Sequence, residues 1–526
     1  MLYTLSNVTN EEAVIIAYEN NLTKIFPNVD NTATRRISEE MEVIVPKAWN
    51  TKGPLPDTFM RNWPHFSSDG ILYMCLNTSM SNCNRYDISN ISRKPVGATT
   101  SLVGFHTDSI NFNALVIDDS TIFGAHEVNS FMEDEDKDYP FQWSNLQFQR
   151  EPSFSLTYDE LLKIREQNPA LQYLHGFKHY AELRSQKYIY FLFNIKQNSR
   201  TLWESRISRI CSEDRKFLSY TELGFISITS PEQNYGRMQL AINGKIGREL
   251  AHHLSPEQNN FSNDVLLVSF ENQVVAEDKF KLSPSGSTLA LVSVERVNQA
   301  LERRIADCYL GHGMRGPHAF VPSTGNHCQM PRSIVEENSC LSYSTVNSPI
   351  GSGESDDQRI QLQELLTLPT INITGMDIGP TQDGNSTFLL VSTSEGSVIQ
   401  YHVRVRNKKL EIVELDKKHL SDRPLFSLVS DFDANYFYTH DSHRVFREPL
   451  HNCEKAQTCD VCLSRVSPHC GWCVALGSCT SKERCIYRGR SQSPTTMERV
   501  RRREQLATVS DEDKLWLSSG NNINHS

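Results

Sequence analysis

The chain lacks any run approaching the ~18 apolar residues that a membrane-crossing helix requires, so no span is expected in these residues. It also lacks basic excess: 53 Lys and Arg against 63 Asp and Glu leave a formal net charge of −10. That is the wrong sign for a surface that must neutralise phosphates, and it excludes a nucleic-acid partner. No Gly-x-Ser-x-Gly elbow and no phosphate-cradling loop occurs. The glycines of GHGMRGP, from Gly311, follow a helix-like segment, whereas a nucleotide fingerprint follows a strand and opens a helix, so they read as turn formers. His175 and His179 stand four apart and His252 and His253 are adjacent, but no third ligand follows at metalloprotease spacing, which favours structural roles. Neither a catalytic group, a metal nor a cofactor is expected. Met1 opens onto MLYTLSNVTNEEA without a basic start, a long apolar stretch or a small-residue cleavage site. Taken alone, these absences describe a soluble cytosolic chain.

What is present points elsewhere. Seven of the thirteen cysteines crowd between Cys453 and Cys485, a density that goes with disulfides and an oxidising compartment. Asn-x-Ser/Thr sequons at Asn7, Asn21, Asn77, Asn90, Asn260, Asn372, Asn385 and Asn524 fit a secreted chain and are the glycosylation candidates. The expectation is therefore that a signal peptide belongs upstream of Met1 and that the sequence is a fragment there.

Short β-rich apolar runs recur with turn residues between them: AVIIAYENNLTKIF from Ala13, GILYMCL from Gly70, STIFGAH from Ser120, KYIYFLFNI from Lys187, DVLLVSF from Asp264, STFLLVSTSEGSVIQYHVRV from Ser386 and NYFYTHDSHRVFREPL from Asn435. Two read as hairpins, one turning at Ser394-Glu395-Gly396 and one around Glu19-Asn20-Asn21. Seven units recur at roughly 64 residues, long for a ~40 to 50-residue propeller blade but reachable with insertions. One small twisted sheet cannot hide both faces, whereas radial stacking buries them, so an all-β, seven-bladed propeller is expected. Helical signal is confined to two inserts, YDELLKIREQ from Tyr158 and LVSVERVNQALERRIADCYLG from Leu291, for which an ordinary α+β core stays open. Composition shifts to cysteine and turn residues after Leu450 and again to a polar, charged stretch from Gly489. The expected division is a propeller domain over 1–450, a cysteine-rich domain over 451–486 and a flexible end, an incomplete part of that domain, over 487–526.

The C-terminal pattern is Cys453-x5-Cys459-x2-Cys462-x7-Cys470-Gly-Trp-Cys473-x5-Cys479-x5-Cys485. Paired C-x-x-C motifs can bind zinc and C-G-x-C can be a redox motif, but the first leaves three cysteines unused and the second needs a thioredoxin-like context that is absent. The segment CLSRVSPHCGWCVALGSC, from Cys462, resembles the PSI module of plexins, semaphorins and integrins, most nearly in its plexin form. Residues 1–450 resemble the sema domain, a seven-bladed propeller, on three stretches: SRISRICSEDRKFLSYTEL from Ser205, RIADCYLGHG from Arg304 and VFREPLHNCEKAQTCDVC from Val445.

The resemblance implies disulfides Cys75–Cys83, Cys211–Cys340 and Cys308–Cys328 in the propeller, and Cys453–Cys470, Cys462–Cys479 and Cys473–Cys485 in the knot. It places Trp472 between the bridges as the small core of the knot and leaves Cys459 as a free thiol, because its family partner would lie beyond a stretch like KLWLSSGNN, from Lys514. A truncated C-terminus is expected on the same ground. A plexin bridge between the strands near Phe225 and Ala290 is missing on both sides, as is a second small bridge of the early blades.

Two charged stretches stand apart. FMEDEDKD, from Phe131, reads as a solvated insert or a site for calcium or a basic partner, and Arg499-Val500-Arg501-Arg502 as a solvated patch or a furin-type cleavage pattern. The resemblance implies a non-enzymatic receptor ectodomain on the extracellular face of the plasma membrane, binding a semaphorin-type protein ligand through the propeller edge in cell guidance, and it admits a homodimer. The ligand-binding residues are not assigned. The alternatives are a semaphorin ligand, a growth-factor-receptor-like sema protein and, from another class, a propeller hydrolase with convergent channel carboxylates.

Overall fold

The computed structural model describes strand backbone along the chain. It describes side chains at residues 125, 172–181, 186–195, 203–214, 219–226, 237–255, 262–271, 286–313, 327–330, 350–351, 359–381, 384–430, 432, 436–451, 453–462, 470–480 and 485. The fold is all-β. Strands β1–β4 (Leu2–Thr4, Val14–Tyr18, Asn21–Ile25, Ser38–Glu42), β5–β8 (Trp63–Phe66, Ile71–Leu76, Met80–Asp87, Thr100–His106) and β9–β12 (Phe112–Asp118, Thr121–His126, Phe141–Phe148, Phe154–Leu162) form three four-stranded meanders. Strands β13–β16 (Ala170–Ala181, Gln186–Lys196, Glu204–Cys211, Thr221–Ser227) and β17–β20 (Met238–Lys245, Asp264–Val275, Leu282–Ser293, Ile360–Leu368) form two more. These two merge where β16 and β20 pair in parallel, Phe225 opposite Ile360 and Ser227 opposite Leu362. Strands β21–β24 (Ile373–Pro380, Thr387–Thr393, Ser397–Arg406, Lys409–His419) and β25–β27 (Phe426–Asp431, Tyr436–His440, Val445–Pro449) complete a series consistent with seven propeller blades.

Each of the seven apolar runs read in the sequence opens on the second strand of its meander, β2, β6, β10, β14, β18, β22 and β26, and three of them continue into the third, β3, β23 and β27. The burial pattern explains this. Every residue of β22 is buried, whereas β24 at the outside of the same sheet alternates between half-buried and exposed. A strand covered on both faces reads as a continuous apolar run. The two expected hairpins close as Tyr18 opposite Asn21, and as Thr393 to Ser397 with Gly396 at φ +76°. A Cβ on Gly396 would stand 1.6 Å from the Ser421 carbonyl oxygen, so both conformation and space demand glycine.

The expected helix at Tyr158 is corrected: Tyr158–Leu162 is the end of β12, paired with β11. A register shift there sets Glu160 opposite Trp143 and Tyr158 opposite Ser144, leaving Asp159 as an extra residue. Such a bulge breaks the two-residue alternation and mimics helical spacing. Helix is also not confined to inserts at two sites. Helix α1 (Arg248–Leu254) buries Leu250, Ala251 and Leu254, and at seven residues it is too short to show a period. Helix α2 (Val294–Tyr309) follows β19 within the expected segment. The Ser293 hydroxyl accepts the Arg296 amide proton at 3.2 Å as its N-cap, and Val294, Val297, Leu301, Ile305 and Cys308 bury one face.

By contact density the chain divides into two compact units, Met1–Asn243 with Asp264–Asn372, and Gly244–Asn263 with Ile373–Ser526. The first holds an apolar core around Tyr190, Leu192, Ile207, Leu266, Val268 and Leu362. Phe225 and Ala290, which flank the missing bridge, lie in that same cluster, and Phe225 meets Phe270 edge-on at 6.4 Å. Apolar packing thus occupies the region that a crosslink would tie. In the second unit Gly375 lets β21 and β25 approach: a Cβ there would stand 2.9 Å from the Ser427 carbonyl carbon.

The C-terminal region contains a short 3-10 turn (Cys453–Lys455), helix α3 (Cys459–Arg465) and strands β28 (Cys470–Cys473), β29 (Ser478–Ser481) and β30 (Trp516–Ser518), ordered β29-β28-β30. The flexible end expected over 487–526 gives way at Trp516–Ser518 to a strand, with Leu517 opposite Trp472. The apolar Trp516 and Leu517 supply the β-forming residues that the preceding charged stretch lacks.

Candidate functional site

The motif from Ser205 is built around buried charge. Arg206 on β15 reaches Glu222 on β16 and, at 2.8 Å, Glu204, while the Tyr220 hydroxyl donates to Glu222 Oε2 at 2.7 Å. Burial works against the Arg206 cation, but Glu204 and Glu222 hold its pKa above the usual arginine value. Burial, with Glu222 beside it, raises the Tyr220 hydroxyl well above its ordinary pKa. Arg209 lies over the Tyr188 ring at 4.2 Å and donates to Asn298 at 3.0 Å and to Glu302 at 3.3 Å on α2. The Tyr190 hydroxyl also donates to Asn298. In the β15–β16 connection Asp214 accepts from both the amide and the hydroxyl of Ser219 at 2.6 Å. These groups orient one another rather than converge on open space, so the motif positions α2 against the blades. Alternation along a strand reads Arg206 as solvent-facing, and nothing local in the sequence reveals its partner.

Beyond α2, a disulfide joins Cys308 to Cys328 with their Cα atoms 4.8 Å apart, and Gly311 and Gly313 turn the chain at φ +78° and +76°. Leu310 is 54% and Met330 67% exposed at this tip. Two large apolar side chains held out on a crosslinked base suit contact with another protein.

In the knot, disulfides join Cys453 to Cys470, Cys462 to Cys479 and Cys473 to Cys485. Trp472 is half-buried against the cluster of Cys453, Ala456, Cys462, Cys470 and Cys479. Cys459 is a free thiol whose pKa is raised by burial and by Asp460. Cys75 and Cys83 stand directly opposite on β6 and β7, and their side chains lie outside the described residues. Cys211 is disulfide-bonded, and Cys340 lies outside the described residues.

The histidines do not gather. His175 meets Asn243 at 3.2 Å, His179 lies 3.8 Å from Asp264, and His252 and His253 lie on α1. Among the described residues no group of three or more His, Cys, Asp or Glu is arranged to hold a metal, and no helix is long and apolar enough to cross a membrane. Of the sequons, Asn385 is exposed in the turn before β22, whereas Asn372 is half-buried with its amide oxygen enclosed. Asn21 begins β3, and Asn7, Asn77, Asn90, Asn260 and Asn524 lie outside the described residues. The same holds for the acidic run 131–138 and the Arg499–Arg502 pattern.

Blades of this arrangement followed by a three-disulfide knot define a β-propeller with a small disulfide-rich module. The PSI family, described as the plexin repeat, matches residues 452–502. The chain is related in sequence to plexins: it is 26% identical over 356 residues to plexin A3 of Danio rerio, covering 63% of this chain and 18% of that protein. With human plexin-A2 it shares 25% identity over 380 residues, covering 66% of this chain and 19% of that protein. The chain thus spans about a fifth of the curated relatives it matches. Its fold is that of the extracellular region of plexin A4 (TM-score 0.69, 18% identity, 93% of this chain and 49% of that one). Drosophila plexin A, solved in complex with semaphorin 1b, matches with TM-score 0.60 at 13% identity over 99% of this chain and 94% of that one. Domains 1–2 of Drosophila semaphorin 1a match with TM-score 0.58 at 15% identity, over 89% of this chain and 90% of that one.

Proposed function

We propose that this chain is the ligand-binding extracellular part of a plexin-like receptor and that it binds a semaphorin-type protein through the loops and edges of its propeller. The relation to plexins over about two thirds of the chain carries the reading. The plexin-type Cys470-Gly-Trp-Cys473 within the matched PSI residues adds to it. A propeller edge offers the broad, shaped surface of ~800 Å² per partner that stable recognition needs, and no bond need be made or broken. The exposed apolar tip at Leu310 and Met330 fits recognition of a protein rather than of a small molecule. The four disulfides seen among the described residues and the exposed sequon at Asn385 fit the same secreted, extracellular setting.

A second reading is a semaphorin ligand, favoured by the shared fold of semaphorin 1a. The test is surface plasmon resonance of the full chain, secreted behind a signal peptide, against immobilised semaphorin and plexin ectodomains. Binding to at least one semaphorin with none to plexins supports the receptor. The reverse pattern replaces it with the ligand reading, and retention by neither overturns both.

A further inference from the structure

In the second unit two turns are pinned together from beneath. The buried Asp441 carboxylate accepts from the His443 amide at 2.7 Å, the Arg444 amide at 2.6 Å, the Ser421 hydroxyl at 2.8 Å and the Arg444 guanidinium at 3.3 Å. Burial alone would raise its pKa, but these donors hold it well below the ordinary aspartate value. The Arg423 amide in turn donates to the Ser421 hydroxyl at 3.2 Å. Ser421, Asp422, Arg423, His443 and Arg444 line a cavity of about 400 Å³ between the turns.

The polarity of this cavity follows from its donors and acceptors. A guanidinium only donates, so the Arg423 contact makes His443 Nδ1 an acceptor, and the Ser442 hydroxyl lies 2.6 Å from the same nitrogen. The ring proton is thereby placed on Nε2, where it is a donor. Asp441 is filled by four donors, and Asp422 is turned to His419 at 3.1 Å. What the lining offers is the remaining N–H groups of Arg423 and Arg444 with the His443 Nε2 proton. Arg444 also lies over the Phe446 ring at 5.2 Å, which limits its freedom. Two guanidinium forks on pinned turns match the planar, two-oxygen geometry of a carboxylate.

We propose that this cavity binds a carboxylate side chain from an acidic segment of a partner protein. A volume of about 400 Å³ admits one or two side chains, whereas a sulfated glycan tracks a longer basic surface, which two arginines do not provide. The site stands apart from the propeller-edge reading, and neither depends on the other.

The test is fluorescence anisotropy of the full secreted chain with a labelled peptide of five Glu-Asp repeats, beside a five-repeat Gln-Asn peptide and a heparin hexasaccharide as competitor. The acidic peptide is expected to bind, the neutral one not. Arg423→Gln with Arg444→Gln is expected to weaken binding at least tenfold in a chain that still folds. Should that pair unfold the protein, Arg423→Glu alone, whose side chain meets only His443 among the described residues, is expected to give the same loss or more. Equal binding of the two peptides, or wild-type affinity in the folded variants, overturns the proposal. Displacement of the peptide by lower concentrations of heparin than of unlabelled peptide, lost in the same variants, replaces it with a glycan site.

Discussion

The sheet formed by β13–β20 and the PSI knot both enclose groups that water would otherwise hold, and they do so by different means. The Arg206–Glu222 pair is enclosed on the face of β15 and β16 that also carries Tyr220, with Phe193 opposite Arg206 on β14. A wide apolar cluster of Tyr190, Leu192, Ile207 and Leu223 covers the other face, so the charges sit in a sheet whose packing is already extensive. In the knot the enclosed cluster is five residues, four of them cysteines, with Trp472 against it, and bridges closing 17, 17 and 12 residues stand in for the missing core. Small domains cannot bury enough surface for their length, and crosslinks reduce the freedom of the unfolded chain instead. Loss of a single partner therefore has different consequences in the two regions: it strands a charge in one and lengthens a free loop in the other.

The largest effect is expected from stranding the charge. Arg206→Met leaves Glu222 buried without its cation and should cost about 3–5 kcal/mol. Adding Glu222→Leu should recover most of it, as read by denaturant unfolding of the single and double variants. If the double variant is no better than Arg206→Met, the apolar surroundings do not tolerate loss of the pair, and the contrast with the knot weakens. Next, Cys462→Ser with Cys479→Ser should cost about 2–4 kcal/mol. Hydrogen exchange should place that loss in 470–481 and leave β14 and β22 protected. Exchange rising equally in all three would show that the knot and the blades unfold as one. Gly396→Ala should cost at least the ~1–2 kcal/mol of the left-handed conformation alone, with the overlap of its Cβ and the Ser421 carbonyl adding to it, seen as a lower melting temperature with the disulfides intact.

The smallest effects distinguish the two units by pH. Burial lowers the His175 pKa from 6.5 to about 4, with Asn243 partly opposing, so its contribution is present above pH 6.5 and is lost as pH falls toward 4. Burial raises Asp377 from 3.8 to about 6 against hydrogen bonds from Ser430 and Ile378, so its contribution is full below pH 3.8 and is lost as pH rises through 6. Between pH 6 and 4 the two groups act with opposite sign. His175→Gln should flatten the acid loss in the first unit and Asp377→Asn the neutral-pH loss in the second, by hydrogen exchange at paired pH values. Parallel pH slopes in both variants and the wild type would remove the distinction.

Much of this architecture was legible because second strands such as β14, β18 and β22 are covered on both faces, which turns KYIYFLFNI and STFLLVST into near-continuous apolar runs. Outer strands such as β24 carry no such run, and the bulge at Asp159 disguised β12 as helix. Cysteine spacing was equally readable, since a resemblance attaches to positions in one short stretch. The Asp441 cavity was not, because Ser421 and His443 lie 22 positions apart on separate turns and acquire meaning only once the chain brings them together. Arg206 and Arg209 were hidden for a related reason: a charged residue in a strand looks solvent-facing until its partner is known.

The parallel ladder of β16 and β20 bears on what happens when many copies of the chain are folding at once. An outermost strand ordinarily displays a bare row of amide and carbonyl groups that an intruding strand can template upon. Here two such rows are spent on each other between Phe225 and Leu362, so at this place a stray strand from a neighbouring molecule finds no vacant rail to join.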